Sequence, residues 1–438
     1  MEKQENEQLL IDGVEAPNFS DAEKNENLTE TDAQENPVYE TEEGEQLSFS
    51  TDVDIGISKE YADEKLKEVL ESQSPKKKKK KTIINLCLLL VNIVFMVYII
   101  NKLIANVGDV SFSDIISKQG SKLWWLAGGL VAYLLYILAQ VLMYTVLIKD
   151  LTGKRRIGLA YDVAIVGKYY DNVTPFAVGG QPMQIIRLAE NGISPGVSTS
   201  IPVIKMLINS MVNMLLVIIF FVFGLPKIPL SSPFNDMLLL LLEILGVIGV
   251  VITVVVTLFM LLISTGNFVT RSVISGIVRL GYKMKIVKNY RVTLKKFINQ
   301  VSEYKTSMSY LWKHKKLLMK MILLAVMECL TYAIMPYFVV MAFAGETGMA
   351  PLMFLFICIV KYYICSMASS YIPLPGGTGL MEISFIFLFG IVVNDAIVWA
   401  LLIWRFLSYY LILVHGFTHE LIKIVKNLVA NRKKREVN

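Results

Sequence analysis

Seven apolar runs constrain the fold of this chain more than any other feature of its sequence. Each run holds about 20 residues or more, the length of helix that crosses a hydrocarbon core about 30 Å thick. The runs lie at residues 83–104, 123–148, 203–223, 237–263, 317–344, 351–371 and 396–422. Hydrophobic residues make up 54% of the 438 residues, which is too many for a soluble domain of ordinary composition. The sequence therefore predicts an all-α, polytopic membrane protein.

The charges are distributed very unevenly along the chain. Residues 1–75 hold 22 acidic residues against 5 lysines, and six lysines at 76–81 directly precede the first apolar run. A tail with this charge and few aromatic residues cannot bury enough surface to fold, so we expect it to be disordered. Clusters of lysine and arginine mark cytoplasmic segments. The basic loop at 264–316, with twelve Lys or Arg and one acid, and the basic C-terminus fit the same side.

These patterns predict a multi-pass protein of the cell membrane with both termini in the cytoplasm. We divide the chain into an acidic tail (1–75), a polybasic juxtamembrane segment (76–82), a helical membrane domain (83–423) that contains the basic loop, and a basic tail (424–438).

A polar stretch interrupts the apolar pattern at residues 171–190, "DNVTPFAVGGQPMQIIRLAE". The chain enters the region 157–200 from the cytoplasm and must leave it on the same side, because the run at 203–223 then leads outward. The region makes either two crossings or a re-entrant hairpin, and its polarity favours the hairpin.

A second interruption, "SSYIPLPGGTGLMEISF", lies at residues 369–385 and again places proline before a Gly-Gly pair. Three apolar runs separate the two interruptions, so the chain approaches them from opposite sides of the membrane. The sequence predicts about seven or eight transmembrane helices and two re-entrant or broken elements in an inverted repeat.

Paired Gly/Pro interruptions in the two halves of a membrane protein indicate a binding site at mid-membrane. Unwound backbone is tolerated at that depth only where protein or trapped water satisfies its polar groups, so we expect a cavity. Each restarted helix directs free N–H groups and a positive dipole end into it, which suits an anion such as a lipid phosphate. The residues that shape the two breaks are Gly179, Gly180, Pro182, Pro375, Gly376 and Gly377.

Seven polar residues are candidates for contact with a lipid head group. They are Gln181, Gln184, Arg187, Lys205, Glu328, Glu382 and Arg405. Charges inside apolar runs are costly and should face one another or a wet interior. Other interpretations stay open: Arg187 pairs with Glu190 or extends to the interface, Glu382 complements a helix dipole, and the glycines serve tight helix packing.

No residue pattern indicates catalysis, a metal or a cofactor. The four cysteines lie in apolar segments, where we expect them to pack as small hydrophobic residues. The three histidines do not cluster, and no nucleophile, base and acid set appears. The basic loop fits helices on an anionic membrane surface better than direct nucleic-acid binding.

The motifs "TPFAVGGQPMQIIRLAENGIS" and "IPLPGGTGLMEISF" resemble the lysylphosphatidylglycerol synthase transmembrane-domain family, also called flippase-like membrane proteins. The resemblance covers residues 82–425. It implies a helical bundle that moves an amphiphilic lipid between leaflets, as the membrane module of the multiple peptide resistance factors does. Where many members carry a Glu-Arg pair after the first hairpin, this chain has Ile204 and Lys205.

The resemblance implies two possible activities, and the acidic tail suggests a third function. The leading prediction is a transporter of a phospholipid or of an aminoacylated or glycosylated lipid. The alternative is phosphatidylglycerol lysyltransferase, which needs a separate cytoplasmic synthase, since about fifteen residues follow the last apolar run. The third is a membrane scaffold that recruits a partner through its acidic tail.

Overall fold

A computed structural model describes the membrane domain from its second predicted span onward. The described residues are 39–40, 46–47, 101, 122–224, 236–265, 276, 278–279, 282, 293–294, 306–344, 348–370 and 374–437. The first predicted span, the polybasic segment and almost all of the acidic tail and basic loop lie outside them. Within the tail, Tyr39–Glu40 and Gln46–Leu47 form an antiparallel strand pair, in which Tyr39 lies opposite Leu47.

The first half of the described membrane domain consists of four helices. They are α1 (Trp125–Thr152), α2 (Ile157–Val173), α3 (Gly180–Glu190) and α4 (Pro195–Gly224). With 11 residues, α3 is only about 16 Å long and too short to cross the hydrocarbon core. The hairpin of α2 and α3 therefore enters the bundle and returns, as the polarity of the sequence predicts.

Helix α5 (Asp236–Thr265) connects this half to a second set of helices. They are α6 (Lys315–Ala333), α7 (Met335–Phe343), α8 (Pro351–Ser369), α9 (Leu380–Val393), α10 (Ile397–Arg405) and α11 (Leu411–Val437). Pro336 follows the turn that separates α6 from α7. The helix is interrupted there because proline has no backbone N–H to donate to the preceding turn. The π-helical segment Phe406–Tyr410 joins α10 to α11.

Five helical segments among the described residues are long and apolar enough to cross a membrane. They are Trp125–Thr152, Pro195–Gly224, Lys315–Phe343, Pro351–Ser369 and Pro375–Lys423. The last is 49 residues long and turns back at Asn394, whose φ is 51°, so it supplies both α9 and the span of α10 and α11. The prediction of an all-α multi-pass membrane protein is confirmed.

The order of elements repeats across the chain. Each half has one long helix (α1, or α6 with α7), a helix that ends at a break (α2 or α8), a short return helix (α3 or α9) and a final long helix (α4, or α10 with α11). The two breaks pack against each other. This arrangement brings together segments that are 200 residues apart in sequence.

Candidate functional site

The two breaks share one backbone conformation. Each begins with an extended residue at φ −110°, Thr174 or Leu374, and continues into a proline that opens a single 3₁₀ turn. The next two residues are left-handed: Phe176 and Ala177 have φ of 56° and 53°, and the glycines at 376 and 377 have φ of 65° and 62°. Each turn is followed within three residues by the start of a new helix. The repeat is therefore visible in the dihedral angles.

This geometry changes the correspondence between the two motifs. The pair Gly376 and Gly377 matches Phe176 and Ala177 in conformation, whereas the sequence motifs suggest a match with the pair Gly179 and Gly180. Gly179 instead corresponds to Gly379, since each is the residue before its return helix. The motifs are thus related by an offset of 200 residues.

Polar groups of the chain itself satisfy the backbone amides at both helix starts. The Gly179 N–H donates to Thr174 Oγ1 at 2.9 Å, and the Gly180 N–H donates to Asp171 Oδ1 at 2.9 Å. In the second half the Gly379 N–H donates to Glu382 Oε2 at 2.6 Å. The expectation that these helix starts direct free amides into the cavity is wrong for these three groups. Each of these three amides already donates to a side chain.

A cavity of about 390 Å³ lies where the two breaks meet. The first break contributes Phe176 and Ala177, and the second contributes Leu374, Gly376 and Gly377. The remaining lining residues come from seven helices and the residue after α8: Tyr136, Lys168, Asp171, Asn172, Asn213, Glu328, Cys329, Tyr332, Tyr362, Tyr363, Ser366, Ser369, Ser370, Met381 and Ile412. A partly polar, open cavity therefore lies between the two broken helices.

Lys168 is the cation among the lining residues of this cavity. Its Nζ lies 4.0 Å from Glu328 Oε1 and 5.9 Å from the centre of the Tyr136 ring, and its side chain is 27% exposed. Asp171, one helical turn further along α2, faces the same space. Because the Lys168 side chain is more exposed than that of Glu328, it is the group best placed to bind an anion.

Glu328 is the centre of a buried polar cluster beside the cavity. Its Oε2 lies 3.1 Å from Lys205 Nζ, and Gln140 Nε2 donates to its Oε1 at 2.8 Å. The Lys205 ammonium also lies 5.5 Å from the centre of the Tyr144 ring. Glu328 is a predicted contact residue and does line the cavity, whereas Lys205 lies behind it and neutralises its charge.

Arg405 and Glu382 pair with each other at the second break. Arg405 Nε lies 2.6 Å from Glu382 Oε1, and both side chains are buried. Arg405 Nη2 also donates to the Gly376 carbonyl at 3.1 Å, and the guanidinium lies over the Tyr409 ring. The pair therefore fixes the 3₁₀ turn and the start of α9. Glu382 acts at the helix start, which is the alternative that the sequence left open.

Arg187 belongs to an ionic cluster between α2, α3 and α11. Its guanidinium contacts Glu420 Oε1 at 2.5 Å, Glu190 Oε2 at 3.3 Å and Asp162 Oδ1 at 3.8 Å. Asp162 in turn contacts His419 Nε2 at 2.8 Å and Lys423 Nζ at 3.2 Å. The alternative pairing with Glu190 is thus present, and the cluster ties the return helix α3 to the last helix.

The two predicted glutamines lie along the α2–α3 hairpin. Gln184 is buried against Gly167 of α2, where a side chain on Gly167 would overlap it. Gln181 Nε2 lies 2.8 Å from Met206 Sδ on α4. A side chain on Gly180 would overlap the Gly167 carbonyl and the Asp171 carboxylate. The alternative interpretation that the glycines allow tight helix packing therefore holds at Gly180.

Sequence reasoning found part of this site and missed its most open charges. Of the seven predicted contact residues, Glu328 lines the cavity, and contact of the other six with a head group stays a prediction. Lys168 and Asp171 were missed because they fall neither in an apolar run nor in the helix after the break, where the candidates were sought. Their spacing of three residues on one helix face is the signal that could have found them.

A family model described as "Lysylphosphatidylglycerol synthase TM region" matches residues 84–416. The match includes both breaks, every residue that lines the cavity and the pair of Arg405 and Glu382. A comparison with curated proteins gives no match.

Proposed function

The chain belongs to the family of the lysylphosphatidylglycerol synthase TM region, and on that premise we propose that it transfers a phospholipid between the leaflets of the cell membrane. The head group crosses through the cavity between the two breaks while the acyl chains stay in the hydrocarbon. The family supports a membrane function related to lipids, and the transfer itself is our inference.

The observation that carries this proposal is a polar chamber placed where two broken helices meet. Side chains of the chain itself accept hydrogen bonds from three backbone amides at the starts of the two return helices. The cavity volume of about 390 Å³ lies within the usual range for small-molecule sites. Charged and hydroxyl side chains inside a helical bundle lower the cost of moving a polar head group through hydrocarbon.

The charges divide into a binding group and a supporting group. Lys168 is open to the cavity and takes the lipid phosphate, since an ammonium is a compact point charge that suits this anion. Lys205 and Arg405 each hold a carboxylate and keep the walls in place. Arg187 holds α3 against α11.

A transfer assay in liposomes tests the proposal. The full chain is reconstituted with phospholipids that are labelled on an acyl chain, and the label in the outer leaflet is quenched chemically over time. We expect wild-type protein to expose the inner label and Lys168→Ala to slow this at least about tenfold, the loss of one charge-assisted hydrogen bond. Lys149→Ala, at the exposed end of α1, is the matched control and should transfer at the wild-type rate. Wild-type protein that transfers no faster than empty vesicles contradicts the proposal.

The name of the family also favours a second candidate, phosphatidylglycerol lysyltransferase acting with a separate cytoplasmic synthase. The match covers the membrane region, which is the part that would receive the lipid. Lipid extracts of cells that express this chain, separated by thin-layer chromatography, would then contain lysylated phosphatidylglycerol. Deleting residues 1–75 separates both candidates from a scaffold, because a scaffold loses its function with the tail and a transporter keeps its transfer rate.

A further inference from the structure

One wall of the cavity carries hydroxyl groups and no formal charge. Helix α8 presents Tyr362, Ser366 and Ser369 at spacings of four and three residues, so their side chains share one face that lines the cavity. Tyr363 lines it as well. The Ser369 hydroxyl donates to the Cys365 carbonyl at 2.7 Å, and its oxygen can still accept hydrogen bonds from a ligand that is rich in hydroxyls.

The hydroxyl of Tyr363 is an unused hydrogen-bonding group. The residue is 1% exposed, and its Oη has no hydrogen-bond partner among the described residues. Its ring is held in place by stacking on Phe220, with ring centres 5.4 Å apart. A buried hydroxyl without a partner is costly, and that cost is recovered when a ligand supplies the partner.

The carboxylates that line the cavity are already engaged. Asp171 accepts the Gly180 N–H, and Glu328 accepts from Gln140 and pairs with Lys205. A ligand ammonium would have to compete with these partners. Lys168 also lies 4.0 Å from Glu328, but its side chain is 27% exposed, so a ligand anion can reach it. The cavity is thus suited to one anion and to neutral hydroxyls.

We infer that the transported lipid carries a sugar or cyclitol ring linked through a phosphate. This inference rests on the proposed function and names the class of its substrate. The phosphate binds Lys168 of α2, and the ring hydroxyls bind the α8 wall, where Tyr363 supplies the unused partner. The apolar face of such a ring also packs on the tyrosine rings that surround the space.

The test compares lipids that differ only in the head group. The full chain in liposomes is given phosphatidylinositol, phosphatidylglycerol, phosphatidylserine or phosphatidylethanolamine, each labelled on an acyl chain. We expect phosphatidylinositol to move at least about fivefold faster than the two amine lipids and faster than phosphatidylglycerol, because its ring offers more hydroxyls to the wall.

The variant Tyr363→Phe removes one hydroxyl and leaves the ring. We expect it to slow phosphatidylinositol transfer about three- to tenfold, to leave phosphatidylethanolamine transfer unchanged, and to leave the thermal stability of the ligand-free protein equal or higher. Tyr337→Phe, a buried tyrosine of α7 that does not line the cavity, is the control.

The outcomes separate the two proposals. If no lipid is transferred, the proposed function fails and this inference fails with it. If lipids are transferred but the amine lipids are equal or faster, the transporter stands and the ring inference is wrong. A third arm measures the thermal shift of the detergent-solubilised chain with short-chain phosphatidylinositol and with glucose 1-phosphate. An equal shift with glucose 1-phosphate would overturn the lipid source in favour of a soluble sugar phosphate.

Discussion

Two residues at the first break adopt a backbone conformation that suits glycine. Phe176 and Ala177 have positive φ, as Gly376 and Gly377 do at the equivalent positions of the second break. A left-handed residue other than glycine costs about 1–2 kcal/mol. Strain of this kind is retained where the surrounding structure fixes the chain, and it is often found at functional sites. Here both strained residues line the cavity.

Exchanging the residue types between the breaks tests this strain. Gly377→Ala should lower the free energy of unfolding by about 1–2 kcal/mol, because alanine resists this φ and its Cβ would lie 3.0 Å from Ser369 Cβ. Ala177→Gly should leave stability unchanged or raise it, since relief of the strain offsets the added freedom of the unfolded chain. Thermal unfolding in detergent measures both. Equal losses in the two variants would show that the left-handed backbone is not what limits these positions.

At the scale of elements, the α2–α3 hairpin depends on close helix contact. Gly180→Ala should lower the free energy of unfolding by about 1–3 kcal/mol, because the new methyl group overlaps the Gly167 carbonyl, which is backbone and cannot move aside. Gly158→Ala in α2 is the matched control. Nothing lies within 4 Å of its Cβ, so helix propensity should leave it neutral or stabilising. If both alanines have the same effect in thermal unfolding, close packing at Gly180 is not what holds the hairpin.

At the scale of the whole molecule, the length of the apolar runs predicted the long helices among the described residues, and the Pro/Gly pattern predicted the two breaks, because both depend on local composition. Apart from the local pair of Arg187 and Glu190, the partners of the buried charges were not predictable from the sequence. Lys205 and Glu328 are 123 residues apart and meet only because α4 packs beside α6. The positive φ of Phe176 was also hidden, since neither phenylalanine nor alanine signals a left-handed turn. The glycines of the motif drew attention to Gly180, which serves packing, and away from Lys168.

The buried pair of Lys205 and Glu328 connects the two repeats, since α4 belongs to the first and α6 to the second. Arg405 and Glu382 lie within the second repeat alone. Lys205→Glu would place two carboxylates together in the interior and should lower the free energy of unfolding by about 3–5 kcal/mol. The exchanged variant Lys205→Glu with Glu328→Lys should recover only part of that loss in thermal unfolding, because the restored pair is opposed by a new ammonium beside Lys168, which lies 4.0 Å from Glu328. Glu328→Lys should not rescue Arg405→Glu, because these residues do not share a partner. If the exchange recovers nothing, the contact between the repeats depends on packing and not on this ion pair.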